Sequence, residues 1–252
     1  MNAEKELLLT TKTDVITSIT DMYSRLKAGA LANLLIQSAI ESADKLGFGF
    51  KNLKEIELFW VLNRLHIEIV KPIYRNENLM VETWPKTVDG WFYIRDFFIK
   101  NDKEEILVKA TSSWLALDAK SKRPKKIDGL LAEKFTRLKE KNALPYLPEK
   151  LAESETNYSI EIKPSFFDFD LNGHVTSSRY IDWMMDCLSL DFHKNNYPKT
   201  MIINYLKETL PQLGVRMNHK FLENNKVFFE GKHTIKENTC VRALVEFEKI
   251  LQ

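Results

Sequence analysis

The chain has 252 residues, 44% of them hydrophobic and 29% charged, which supports an ordinary buried core without disulfide or metal staples. Its net charge of +2 excludes the global positive field of a nucleic-acid binder, so an anionic partner would have to be read by a local patch. Two cysteines, Cys187 and Cys240, make no disulfide framework and fit a reducing compartment as small hydrophobes. The scattered histidines lack the spacing of a structural zinc site, and no cofactor motif is present.

The start, Met-Asn-Ala-Glu-Lys-Glu, is charged and has no signal-peptide core. The uncharged stretch from Ala28 to Ile40 is too short to span a bilayer. The expectation is a bacterial cytoplasmic protein with no membrane or nucleic-acid partner. A first strand is expected over Thr11–Asp21. Ala32, Leu35, Ile36, Ala39, Ala43 and Leu46 then recur at helical spacing, predicting a helix over 28–46 that Gly47 and Gly49 end. Four strand-like runs follow, at Leu58–Val70, Leu79–Val88, Phe92–Asn101 and Ile106–Asp118, with Asp89-Gly90 and Asn101-Asp102 as turns.

A segment over 127–156, broken by Pro145 and Pro148, reads as a connector. The order then repeats: a short strand at Asn157–Pro164, a helix over Val175–Phe192, and strands at Thr200–Leu210, Gly214–Leu222, Lys226–His233 and Thr239–Lys249. Leu65 to Pro72 and Tyr205 to Gln212 align after their respective helices, which pairs Glu68 with Glu208. A long helix followed by an antiparallel sheet buries its stripe when the sheet curls around it. The expected fold is therefore α+β, two tandem hotdog repeats at 1–126 and 157–252 with the connector between them.

Ahead of the second helix stands Asp170-x-Asn172-x-His174. A carboxylate, a carboxamide and an imidazole beside a helix N-terminus can activate a nucleophile and serve a developing oxyanion. The N–H groups near Val175 and Thr176 are expected to be the oxyanion donors. The same residue types also suit a plain turn and N-cap. The first repeat has no Asp-x-Asn-x-His, and its corresponding segment is read as Ser24 to Gly29.

The run Asp170-Leu-Asn172-Gly-His174-Val-Thr-Ser-Ser-Arg-Tyr180-Ile-Asp-Trp183 resembles the Asp-x-Asn-x-His-Val-Asn-Asn-x-Lys-Tyr-Ile-x-Trp block of the plant and bacterial acyl-ACP thioesterases. Pro72-Ile-Tyr74, Val81-Glu-Thr-Trp84, Arg95-Asp96 and Ala110-Thr-Ser-Ser-Trp114 are similar to that family's first repeat, and Asn204 to Thr209 to the strand carrying its second acidic residue. The likeness runs from about residue 10 to 248.

The resemblance implies hydrolysis of fatty acyl-acyl carrier protein to free acid, with Asp170, Asn172, His174 and Glu208 as site residues, acyl carrier protein as partner and no cofactor or metal. Asp170 or Glu208 would act as base or attack directly, His174 would orient a carboxylate or protonate the thiolate, and Asn172 would hold nucleophile or substrate. The first repeat would shape the acyl pocket, and a homodimer is compatible with the pattern. Thr209 stands where the family usually has cysteine, which puts an obligatory cysteine nucleophile in doubt. Lys120-Ser-Lys122-Arg123-Pro-Lys125-Lys126 could steer an acidic carrier, although a solvated connector is the commoner role for such a run. The alternatives are an acyl-CoA thioesterase, a hotdog hydratase or dehydratase, and a non-catalytic acyl- or carrier-binding module.

Overall fold

Small residues govern how the first helix packs. In the computed structural model, which describes residues 3–127 and 130–250, a short helix α1 (Ala3–Leu7) and strand β1 (Leu9–Asp14) lead to α2 (Ala28–Leu46). Leu31, Ala32, Leu35, Ala39 and Ala43 form its buried stripe, with Ser38 and Ser42 on the same side. Gly47 ends α2 in the left-handed conformation at φ 80°, which glycine adopts without a Cβ clash. Strand β1 is shorter than the expected run because a 3-10 turn at Thr17–Ile19 follows it.

After α3 (Phe50–Glu55) come β2 (Leu58–Ile69), β3 (Asn78–Asp89), β4 (Phe92–Asn101) and β5 (Ile106–Asp118). The second half holds α4 (Leu130–Lys134), β6 (Tyr158–Ile162), α5 (Ser177–Asp186), α6 (Leu190–Asn195), β7 (Asn196–Tyr205), β8 (Val215–Leu222), β9 (Lys226–His233) and β10 (Thr239–Lys249). Residues 1–2, 128–129 and 251–252, the middle pair within the expected connector, lie outside the described residues. The expected second helix over Val175–Phe192 is in fact two. Ser189 caps α6 by accepting from Phe192 N–H, and the chain turns at Cys187–Ser189 between the helices.

The ten strands make one antiparallel sheet in the order β1-β3-β4-β5-β2-β7-β10-β9-β8-β6. The halves join where β2 meets β7, from Arg64 opposite Asn204 to Glu68 opposite Thr200. Pairing the two central strands leaves β1 and β6 as the edges among the described residues. The sheet curls around α2 and α5, and one apolar core runs through both repeats, with Leu35, Leu65, Ile67 and Phe97 from the first half and Ile181, Met184, Met201 and Phe229 from the second. The helices touch near their N-termini, where a Cβ on Gly29 would lie 2.1 Å from Asp182 Oδ1 and 2.9 Å from Ser178 O. Only glycine fits there.

The chain between α4 and β6 crosses the outer face of the sheet. Trp84 Nε1 donates to Lys141 O, Lys86 Nζ to Leu144 O, and Arg64 Nη1 to Pro148 O. Asn204 takes Leu151 N–H on Oδ1 and gives Nδ2 to Glu149 O. Buried Asp96 accepts Ala143 N–H at 2.7 Å and pairs with Lys86 at 3.1 Å. The segment is thereby strapped to strands of both repeats. Among the described residues no helix is long and apolar enough to cross a membrane.

Candidate active site

Asp170 folds the loop that precedes α5. Its Oδ1 accepts the N–H groups of Asn172 at 2.8 Å and His174 at 3.1 Å, and its own N–H donates to His174 O at 2.8 Å. Gly173 sits at φ 73°, where a side chain would be strained. Phe169 and Val175 bridge at the base, and Thr176 N–H closes it on Asp168 O at 2.9 Å. The turn exposes Asp170 and Asn172 and leaves His174 partly covered.

His174 Nε2 lies 3.2 Å from Glu208 Oε2, with the His174 side chain 34% and the Glu208 side chain 62% exposed. Of the four expected site residues, Asp170, Asn172 and His174 share one turn and Glu208 reaches it from another segment. Glu208 is not in a strand as expected. Strand β7 stops at Tyr205, and Leu206 and Lys207 N–H both turn to Cys240 O, which swings Glu208 out toward His174. Nor are Val175 and Thr176 free oxyanion donors. Val175 N–H donates to Thr209 O and Thr176 N–H to Asp168 O. At the start of α5 the N–H groups without an intrahelical acceptor fall instead to Ser177 and Ser178.

Thr209 points the other way. It is buried, its Oγ1 accepts from Tyr180 Oη at 2.7 Å, and it lies 2.9 Å from His233 Nε2. Burial, together with nearby Lys207 and Lys236, lowers the His233 pKa. Thr209 therefore belongs to a buried chain behind Glu208, with Tyr180 and His233 as its side-chain partners. A lone histidine ending a strand carries no signal in the sequence, and His233 is legible only in the structure. Burial pushes the Cys187 and Cys240 thiols up to about 12, which makes both poor nucleophiles.

The first repeat contains the same loop. Asp21 Oδ1 accepts Tyr23 N–H at 2.8 Å and Arg25 N–H at 2.9 Å, and Asp21 N–H donates to Arg25 O. Ser24 takes the positive φ of Gly173, and Thr20 bridges Leu26 as Phe169 bridges Val175. The counterpart of the second loop is therefore Asp21 to Leu26, not Ser24 to Gly29. The internal alignment also shifts. Val70 and Lys71 N–H turn to Leu107 O as Leu206 and Lys207 turn to Cys240 O, which sets Pro72, not Glu68, in the place of Glu208. In the first loop Arg25 replaces the imidazole, buried against Asp21 at 2.7 Å with its guanidinium over the Tyr23 and Tyr197 rings.

The charges of the Lys120–Lys126 run are partly matched locally. Lys120 pairs with Glu57 at 2.6 Å and Lys125 with Asp118 at 3.9 Å, while Lys122 lies over Phe59 and Lys126 over Trp91. Surface depressions of about 560 Å3, beside Pro72 and Tyr74, and about 370 Å3, beside Lys163 and Pro211, do not include Asp170, His174 or Glu208.

Family models for the acyl-ACP thioesterase N-terminal and C-terminal domains match residues 6–135 and 151–249. The chain belongs to the acyl-ACP thioesterase family. A chloroplastic oleoyl-acyl carrier protein thioesterase from Coriandrum sativum is 25% identical over 195 residues, covering 71% of this chain and 53% of that protein. The chain thus spans about half the length of the curated relatives it matches. A solved acyl-ACP thioesterase from Bacteroides thetaiotaomicron superposes with a TM-score of 0.87 at 25% identity, covering 98% of this chain and all of that one (100%). A 12:0-ACP thioesterase from Umbellularia californica, 17% identical, superposes at 0.84 over 96% of this chain and 98% of its own, and shows the shared fold. The fold of this family member is the double hotdog described above.

Proposed function

We propose that the protein hydrolyses the thioester of fatty acyl-acyl carrier protein to free fatty acid and carrier thiol, with Asp170, Asn172, His174 and Glu208 as its site. The observation that carries this reading is the 3.2 Å contact between His174 and Glu208 at the mouth of the Asp170 turn. Glu208 is the better candidate for general base, because Asp170 Oδ1 is committed to two amide hydrogen bonds and Glu208 is free of the turn.

The water oxygen adds to the thioester carbon and gives its proton to Glu208, while the outward oxygen of Asp170 and the Asn172 carboxamide orient it. Ser177 and Ser178 N–H stabilise the oxyanion at the positive end of α5, each such donor being worth roughly 3 kcal/mol. Glu208 hands that proton to His174 across their contact, collapse breaks the C–S bond, and the imidazolium gives the proton to the departing thiolate, which restores the site. The first repeat, whose loop is filled by Arg25, contributes walls for the acyl chain. The two free thiols suit a cytosolic setting.

The test is a substrate panel of acyl-carrier protein, acyl-CoA and enoyl thioesters, followed by thiol release and enoyl absorbance. Thiol release fastest from acyl-carrier protein is the expected result. Faster release from acyl-CoA, hydration of the enoyl substrate, or binding without turnover would each replace this reading with one of the alternatives.

A further inference from the structure

The two equivalent loops have the same backbone bonds and different supports. Thr176 N–H closes the second loop on Asp168 O at 2.9 Å, and Lys27 N–H closes the first on Ile19 O at 3.0 Å. Thr176 and Lys27 are the N-caps of their helices with nearly the same backbone angles, so residues can be matched by their distance from the cap. Ile19, Ala30 and Asn33 in the first repeat then stand where Asp168, Arg179 and Asp182 stand in the second. The first loop is held from within by its Arg25–Asp21 pair, whereas the second is held from outside the turn by Asp168, Arg179 and Asp182.

That support ties three elements together. Arg179 Nε donates to Asp168 Oδ1 at 2.7 Å and its Nη1 to Asp182 Oδ2 at 2.6 Å. Asp168 Oδ2 in turn accepts Ser165 N–H at 2.6 Å and Ser165 Oγ at 3.0 Å, so both of its oxygens are engaged. Burial works against the Asp168 carboxylate, yet the Ser165 N–H and the Arg179 guanidinium outweigh it and hold the group below its ordinary range. Asp182 lies against Gly29 of α2, which limits where it can move. The guanidinium therefore links the base of the loop, helix α5 and the neighbouring repeat's helix.

The first loop reaches the same backbone fold with its internal Arg25–Asp21 pair and with no counterpart of Asp168, Arg179 or Asp182, so the Arg179 brace is not what folds the turn. Holding charged side chains in one geometry costs side-chain entropy and desolvation. What the second loop has and the first lacks is His174 facing Glu208. We propose that Arg179 is a positioning residue, holding the Asp168 end of the loop so that Asp170 and His174 stay in register with Glu208. This rests on the hydrolase reading above.

The test compares wild type with Arg179→Met, Arg179→Lys and Asp182→Asn as full-length protein. Arg179→Met is expected to lower kcat on acyl-carrier protein on the order of tenfold to a hundredfold, with KM within about threefold, because misplacement of a reacting group acts on the chemical step. Arg179→Lys should recover most of that loss, and Asp182→Asn should fall between. A kcat within twofold of wild type in Arg179→Met, or kcat and KM lost together with a lowered Tm, would overturn the proposal. Amide hydrogen exchange separates this failure from failure of the hydrolase reading, since it needs no substrate. The His174 and Thr176 amides should exchange faster in Arg179→Met while Arg25 and Lys27, in the first loop, do not change. Equal protection of all four in wild type and variant would overturn the brace even if no thioester were turned over.

Discussion

Asp170 and Asp21 fold the same turn, each taking two loop amides on one carboxylate oxygen, and only Asp170 does so beside an imidazole paired with a second carboxylate. The turn is thus a shared backbone device, and the imidazole–carboxylate pair is an addition to one copy. Asp170→Asn separates the two roles. Asparagine keeps an oxygen for the amides of Asn172 and His174 and replaces the outward oxygen with NH2. Turnover of acyl-carrier protein is expected to fall on the order of a hundredfold in Asp170→Asn, as in His174→Ala, with the unfolding transition little changed. Wild-type rates in both variants, with the fold intact, would remove these residues from the site.

The first copy gives the opposite result. Arg25 is buried, and Asp21 is its ion-pair partner at 2.7 Å. Its Nη1 also donates to Asn196 O, and Tyr197 Oη donates to Leu26 O, so the filled loop locks the α6–β7 junction of the other repeat to the first. Removing the carboxylate strands a buried guanidinium and frees two amides. Asp21→Ala is expected to cost about 3 kcal/mol in urea unfolding, because one partner of a buried pair is lost, and to leave kcat near wild type in the folded fraction. A cost below about 1 kcal/mol would mean that Arg25 finds other partners.

Thr209 makes a different kind of prediction, because the residue beside Glu208 faces the interior. Tyr180 Oη, Thr209 Oγ1 and His233 Nε2 form one buried chain. Thr209→Val takes this partner from both Tyr180 Oη and His233 Nε2, each worth about 1–3 kcal/mol when left unpaired in the interior. Thermal unfolding should therefore register Thr209→Val strongly, while kcat falls less than in His174→Ala. Complete loss of turnover in a folded Thr209→Val would make the hydroxyl a reacting group after all.

Much of the fold is legible in the sequence because its signals are local. Helix α2 follows from its apolar spacing and Gly47, and β4, β5, β9 and β10 from β-rich runs between turn residues such as Gly90 and the Asn224-Asn225 pair, all three at positive φ. The second helix misleads because the stripe Ile181, Met184, Leu188, Phe192 continues across the break, although Ser189 is an N-cap residue whose hydroxyl stops the run. The first loop stays hidden because a turn made of backbone bonds shares only its aspartate, and Tyr23 and Arg25 replace the informative residues. The connector's path is hidden for another reason. Asp96 and Asn204 hold it through contacts with residues far along the chain, and no local pattern encodes them.

His66 gives the pH dependence of that strapped surface. It lies on the outer face of β2, buried beneath the connector, with its ring 5.0 Å from the Tyr146 ring and neither ring nitrogen hydrogen-bonded. Burial pushes its pKa down from an ordinary 6.5 to about 4. Between those values the unfolded chain binds a proton that the native ring refuses. The native state therefore has its full advantage above pH 6.5 and loses it as pH falls through about 4, a change of up to about 3 kcal/mol from this residue. His219 and His233, also lowered by burial, add slopes of the same sign. His66→Phe keeps the packing on Tyr146 and removes the titration. Urea unfolding at pH 7.5, 6, 5 and 4.5 should show wild-type stability declining more steeply with acid than the variant's. Parallel declines would mean that the ring takes up its proton without disturbing the strap, and that the acid sensitivity arises elsewhere.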